Sequence, residues 1–404
     1  MVRSLTCFGG LALVAATAIL AGLQLSERID VLGLFGPVEP VDEAYQRGFR
    51  SDAMVRINRV RDSFDVELVR GDEELQAYLR SFVGSHPDPG DLELEEIFSM
   101  LQTEFPGAQY LAANLVVSPD REELLRQLGA WSAAANPEFD SITTSVFRQN
   151  RRLGALGVVS RRLPEFSLAQ ANQKGGRFYN TCPHCDEVHA LELGGGSSTL
   201  ILSCPYCDRP FDVLAADTSG RIRRATEFFD HVALAEPTGP ENRAAPEERI
   251  VGLWGLVADR CDYEIDQDHS EVREVWKSSR ETWEEKAGDC EDTSILLADV
   301  LISAGFDARV AIGWNGNIGQ HAWVVVRVGE TQYVLESTLQ NEIDSDSLAK
   351  VDEASAFYQP EQLFDRGRLY YTTARPEKFG VDYFSDDLWK PVPSAPKARG
   401  LTLR

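Results

Sequence analysis

The stretch that most constrains this chain runs from residue 288 to 338, where the apolar pattern changes period once. After Gly288-Asp289-Cys290-Glu291-Asp292, the residues Leu296, Leu297, Val300, Leu301 and Ala304 recur at helical spacing, and Gly305 supplies a stop. Val310, Ile312 and Trp314 then fall on one side of a period-two stretch, followed by a polar loop over 315–320. A strand opens at His321, with His321, Trp323 and Val325 on one face and Ala322, Val324 and Val326 on the other. A two-residue turn at Gly329-Glu330 sets Trp323 opposite Glu336 and makes His321 its diagonal neighbour, about 7–8 Å away at the backbone. An odd loop length would turn Glu336 away.

Cys290 therefore stands at the mouth of a buried helix, with an imidazole and a carboxylate from a hairpin in reach. A thiol attacks a carbonyl as its thiolate, which a neighbouring imidazolium and a helix N-terminus favour. Cys290, His321 and Glu336 read as nucleophile, base and orienting acid. The bland alternatives are a small buried thiol and a satisfied structural histidine. Asp289, Glu291 and Asp292 read as complements to the helix N-terminus.

Over about 249–338 the chain resembles the transglutaminase-like superfamily, especially its bacterial cysteine-peptidase branch. The matching pieces are ETWEEKAGDCEDTSILLADVLISAGFDARVAIGW, QHAWVVV and YVLEST. The resemblance implies a papain-like core with Cys290 as nucleophile, His321 as base and acid, and Glu336 in a third place where many members carry Asp. It also implies acyl transfer on protein or peptide amides, with hydrolysis favoured over cross-linking. The rival reading is an inactive adaptor that uses the same fold to bind partners.

Two C-P-x-C units, Cys182/Cys185 and Cys204/Cys207, are separated by 18 residues. This spacing suits a zinc ribbon, two knuckles converging on one structural zinc ion, against disulfides or redox pairs. His184 and His189 read as solvent-facing residues of the ribbon hairpin.

The fold class expected is α+β and multidomain. Residues 1–28 read as a signal anchor or signal peptide, 29–52 as a spacer and 53–175 as an α+β domain. Then come the ribbon (176–215), a linker (216–248), the catalytic domain (249–388) and an extended tail (389–404). The 53–175 region loosely resembles the CAP (SCP-like) fold through Ile57-Asn58, Ala112 to Leu115, Trp131 to Phe139 and Leu156 to Val159, without that family's His and Glu cluster. Residues 4–25 are uncharged throughout, about the length that crosses a hydrocarbon layer, so membrane association is expected, with the bulk of the chain outside the cytoplasm. A formal charge of −24 disfavours nucleic acid as a partner. Cys261, Trp254, Trp276 and Trp283 read as packing residues.

Overall fold

The computed structural model describes residues 38–85, 94–149, 152–193, 199–234, 244–264, 275–339, 343–374 and 382–393. The apolar segment 4–25 lies outside them, and among the described residues no helix is long and apolar enough to cross a membrane. The chain divides into two compact units, one ending at Glu165 and the other beginning at Phe166.

The first unit is α+β. Its strands are β1 (Val38–Pro40), β2 (Arg70–Gly71), β3 (Tyr110–Ser118), β4 (Ser141–Gln149) and β5 (Arg152–Arg161), in the order β1-β4-β5-β3 with β2 beside β4. Helix Glu43–Ser63 is capped by Asp42, whose carboxylate accepts from the Tyr45 amide at 2.8 Å. Arg61 on that helix is 1 % exposed, and its guanidinium donates to the carbonyls of Glu67, Ala134, Asn136 and Phe139. A buried cation so fully hydrogen-bonded pins the 134–139 loop to the helix.

The second unit opens with two hairpins, β6 (Gly176–Thr181) with β7 (Val188–Leu193) and β8 (Thr199–Ser203) with β9 (Pro210–Asp217). They do not form a separate module. Strand β9 continues past the hairpin to pair with β10 (Ile222–Arg224) and, in parallel, with β12 (Val275–Trp276). Its Val213 and Ala215 join the core formed by helix Cys290–Ser303. The stretch 216–248, expected as a linker, sends Phe228, Phe229 and Val232 into that same core. Three buried apolar side chains explain why this part of it folds onto the domain.

Strand β11 (Asp262–Tyr263) runs parallel to β13 (Ala287–Gly288), just before the Cys290 helix. A seven-stranded antiparallel sheet follows: β14 (Asp307–Asn315), β15 (Gly319–Val328), β16 (Thr331–Leu335), β17 (Ala349–Lys350), β18 (Tyr358–Phe364), β19 (Leu369–Thr372) and β20 (Trp389–Pro391), in the order β17-β16-β15-β14-β18-β19-β20. One face packs Val310, Val324 and Val326 against Ile295, Leu297 and Leu301 of the helix. The other packs Ala311, Trp323 and Val325 against Tyr383, Phe384 and Trp389. Both faces are covered, so the central strands are apolar on both sides. Trp389 is 2 % exposed and β20 pairs with β19, so the extended tail expected from 389 does not begin there.

Candidate active site

Asp289, with φ −93 and ψ −154, stands outside the helical region, so the helix begins at Cys290 and the Cys290 amide is among the N–H groups left without an intrahelical acceptor. The first turn is held from three directions. The Lys277 amide donates to Asp292 Oδ1 at 2.7 Å, the Thr293 hydroxyl bonds the Asp289 carbonyl at 2.7 Å, and the Thr293 and Ser294 hydroxyls meet Ser337 Oγ at 3.0 and 2.8 Å. Gly288 makes room for this: a Cβ there would stand 2.6 Å from that of Asp292. At the far end Ala304 closes the helix, and Gly305 follows with φ +88.

The hairpin register is the one a two-residue turn dictates. Val324 faces Leu335 and Val328 faces Thr331. Strand β16 ends at Leu335, which leaves Glu336 just beyond it. Glu336 Oε1 lies 2.6 Å from His321 Nε2, and the pair is largely shielded, with side chains 17 % and 4 % exposed. Thr338 donates to the same carboxylate oxygen at 3.3 Å. Tyr358 of β18 donates to Oε2 at 2.9 Å, and the Asn315 side chain hydrogen-bonds the Tyr358 oxygen. Trp323 stacks beside the imidazole, ring centroids 6.3 Å apart, and Tyr358 lies against it at 5.0 Å. Nε2 is thus the imidazole nitrogen that Glu336 engages.

The sulfur itself is held differently from the expectation of a lowered pKa. Cys290 Sγ donates to Glu291 Oε2 at 3.2 Å and accepts from the Ala322 amide, next to His321. Burial, above all, and then the Glu291 and Asp289 carboxylates push its pKa up; the Ala322 N–H opposes them. The surroundings of Cys290 thus favour the protonated sulfur. Asp289, Glu291 and Asp292 also bring carboxylate oxygens within 4.8 Å of one another, donors of the kind a hard cation takes. Tyr263, paired in register with Gly288, lies within the fields of Cys290, Asp289 and Glu291, and burial with those charges raises its pKa to about 12.

The four ribbon cysteines converge. Cys182 Sγ stands 3.8 Å from Cys207 Sγ and Cys185 Sγ 3.8 Å from Cys204 Sγ, and all four sulfurs lie within 4.8 Å of one another. A disulfide requires about 2.05 Å, whereas four thiolates about 2.3 Å from a tetrahedral zinc stand about 3.8 Å apart. The two knuckles repeat one geometry: the His184 and Tyr206 amides donate to Cys182 and Cys204 sulfurs at 3.4 Å, and Asp186 and Asp208 take φ +60 and +56. The donor set fits a metal ion. Neither histidine is solvent-facing in the way expected. His189 is 4 % exposed against Phe211, and His184 bonds the Pro210 carbonyl at 2.8 Å with its ring on Tyr371.

Cys261, 6 % exposed, bonds only the Thr282 carbonyl at 3.8 Å among the contacts described, and Trp254 and Trp276 are buried in the core. Sequence reasoning missed Tyr358, Asn315 and the Ala322 amide. Tyr358 lies 22 residues from Glu336 on a strand whose place in the sheet no spacing reveals.

One family of peptidase-like domains matches part of the second unit. Residues 274–392 match the family described as the CEP76 peptidase-like domain, a span that contains Cys290, His321 and Glu336. No curated protein matches the chain. Among solved structures, Legionella pneumophila LapG in its EGTA-treated form is 19 % identical, covering 32 % of this chain and 67 % of that one with a TM-score of 0.26. Its calcium-bound form is 18 % identical, covering 34 % and 75 %, with a TM-score of 0.27. A protein of Cytophaga hutchinsonii described as a candidate cysteine protease is 14 % identical, covering 60 % and 70 %, with a TM-score of 0.21. None of these supports a CAP relationship for the first unit or a zinc-ribbon relationship for residues 182–207.

Proposed function

We propose that the chain is a thiol-dependent acyl-transfer enzyme acting on protein or peptide amides, with hydrolysis as its main outcome. The observation that carries the reading is the largely shielded 2.6 Å contact between His321 Nε2 and Glu336 Oε1, next along the strand to the Ala322 amide that reaches the sulfur of a cysteine at a helix N-terminus. Glu336, itself fixed by Tyr358 and Thr338, orients the imidazole and stabilises its charge once protonated. Imidazole Nδ1 takes the thiol proton as Cys290 Sγ attacks the amide carbon. The developing oxyanion is met by the Cys290 backbone N–H at the helix mouth. His321 then protonates the leaving amine, and water attacks the thioester by the same route in reverse.

Cys182, Cys185, Cys204 and Cys207 hold a structural zinc ion in this reading, supported by the tetrahedral spacing of their sulfurs. Membrane association through 4–25 stays a separate proposal, and labelling intact cells with a membrane-impermeant thiol probe tests its sidedness.

One observation favours the adaptor reading instead: the Cys290 thiol is hydrogen-bonded to a carboxylate and its pKa is raised. The deciding experiment compares alkylation by iodoacetamide and turnover of a peptide library by the full chain and by Cys290→Ala. An enzyme cleaves, is alkylated at Cys290 and loses turnover with the substitution; no cleavage by either chain leaves the adaptor. A labelled amine separates hydrolysis from cross-linking, and incorporation exceeding hydrolysis overturns the preference stated here.

A further inference from the structure

The large apolar side chains exposed on the second unit are unevenly placed. Trp314 (47 % exposed), Ile318 (62 %) and Phe357 (50 %) gather at the tip of the β14–β15 hairpin, where the Gly316 amide donates to the Phe357 carbonyl at 2.8 Å. A solvated hairpin tip has no use for such a set, whereas a binding surface is built from aromatic and branched anchors of this kind.

Sheet register fixes where the tip stands relative to the thiol. Val310 and Ile312 belong to the face packed under the Cys290 helix, so alternation puts Trp314 next along that face. Ile312 pairs with Ala322, whose amide reaches the Cys290 sulfur, and Trp314 pairs with Gln320. Trp314 is thus carried one strand period, about 7 Å, outward from the row that meets the sulfur. The tip is also tied to the reactive centre, because Asn315, 5 % exposed, hydrogen-bonds the Tyr358 oxygen that donates to Glu336. The surroundings are acidic: the Glu291 and Asp289 carboxylates act on the sulfur, and Tyr263 lies in the fields of both and of Glu336, in a chain of formal charge −24. An apolar anchor site beside this field suits a segment that is apolar at one position and free of acidic neighbours.

We propose that Trp314, Ile318 and Phe357 form the subsite for one large apolar side chain of an extended peptide substrate. That side chain lies within two residues of the amide attacked by Cys290, and its neighbours are neutral or basic. The proposal rests on the acyl-transfer reading and adds to it the class of substrate.

The test incubates the full chain with a proteome-derived peptide library and sequences the new termini, while Cys290→Ala is used to capture peptides from the same library. Leu, Ile, Phe or Met should be enriched at one position within two residues of the cut, with Asp and Glu depleted. Trp314→Ala and Ile318→Ala should lower kcat/KM on the best peptide by about 10- to 100-fold and leave iodoacetamide labelling of Cys290 unchanged. Cuts without apolar enrichment, or an unchanged profile in both variants, overturn the subsite. If nothing is cut but Cys290→Ala retains apolar peptides and loses them on adding Trp314→Ala, the hydrolase reading fails and the subsite stands. A library neither cut nor retained overturns the subsite as well.

Discussion

The four-cysteine cluster and the mouth of the Cys290 helix both hold sulfur, and they treat it in opposite ways. In each knuckle a backbone N–H points at a sulfur at 3.4 Å, and four sulfurs crowd within 4.8 Å. At the helix mouth one sulfur receives one N–H, from Ala322, and faces Glu291 and Asp289. Donors and mutual convergence stabilise thiolates only if a cation neutralises them; carboxylates and burial keep a thiol neutral. The first arrangement is one that could hold a metal ion. The second favours the protonated sulfur, so the acyl-transfer reading requires a base, the part it gives to His321.

The sharpest test of the contrast is removal of the metal. Structural zinc contributes on the order of 10 kcal/mol to small thiolate domains. Since Val213 and Ala215 of β9 enter the main core, chelation or Cys204→Ser should lower the melting temperature of the whole second unit and abolish a one-to-one metal content. Unchanged melting after complete metal removal breaks the contrast. Next in size, Cys290→Ala should cut turnover about 10⁴-fold or more, near 5 kcal/mol of barrier, with metal content and melting unaltered.

Glu336→Gln should cost about 100-fold or more in kcat through misoriented imidazole, and Tyr358→Phe about tenfold or less, since Thr338 still holds the carboxylate. Equal losses in the two variants would mean that the phenol, rather than the carboxylate, positions His321. The smallest effect concerns acidity. Because burial and carboxylates raise the Cys290 pKa, its thiolate fraction at pH 8 is below that of an ordinary thiol and alkylation should keep accelerating above pH 9. Glu291→Gln removes one opposing charge and should shift that profile to lower pH, raising the rate at pH 8 by up to about tenfold. An alkylation plateau already reached near pH 6 in the native chain would show a preformed ion pair instead.

Local features were legible in the sequence where a short-range rule governs them. The helix start at Cys290, the glycine after its end and the register of the β15–β16 hairpin all follow from spacing within about 50 residues, because periodicity and turn length dictate them. The convergence of the cysteine pairs was legible for the same reason. What escaped depends on long-range pairing. Nothing in Val275-Trp276 announces a parallel partner in β9, and nothing near Tyr358 announces Glu336. The boundaries drawn at 215, 248 and 389 treated composition as a guide to packing, yet Phe228, Phe229 and Trp389 are buried. The acidic residues around Cys290 were visible, but their effect on the thiol depends on how deeply the fold sets them.

The parallel seam between β9 and β12 has a practical consequence for dissecting the protein. A recombinant fragment begun at Arg249 would carry the cysteine, histidine and glutamate yet leave Trp276 and Phe364 facing water where Phe228 and Phe229 had covered them. The compact unit begins at Phe166, and a cut that removes the four-cysteine hairpins takes Val213 and Ala215 out of the core beneath the Cys290 helix.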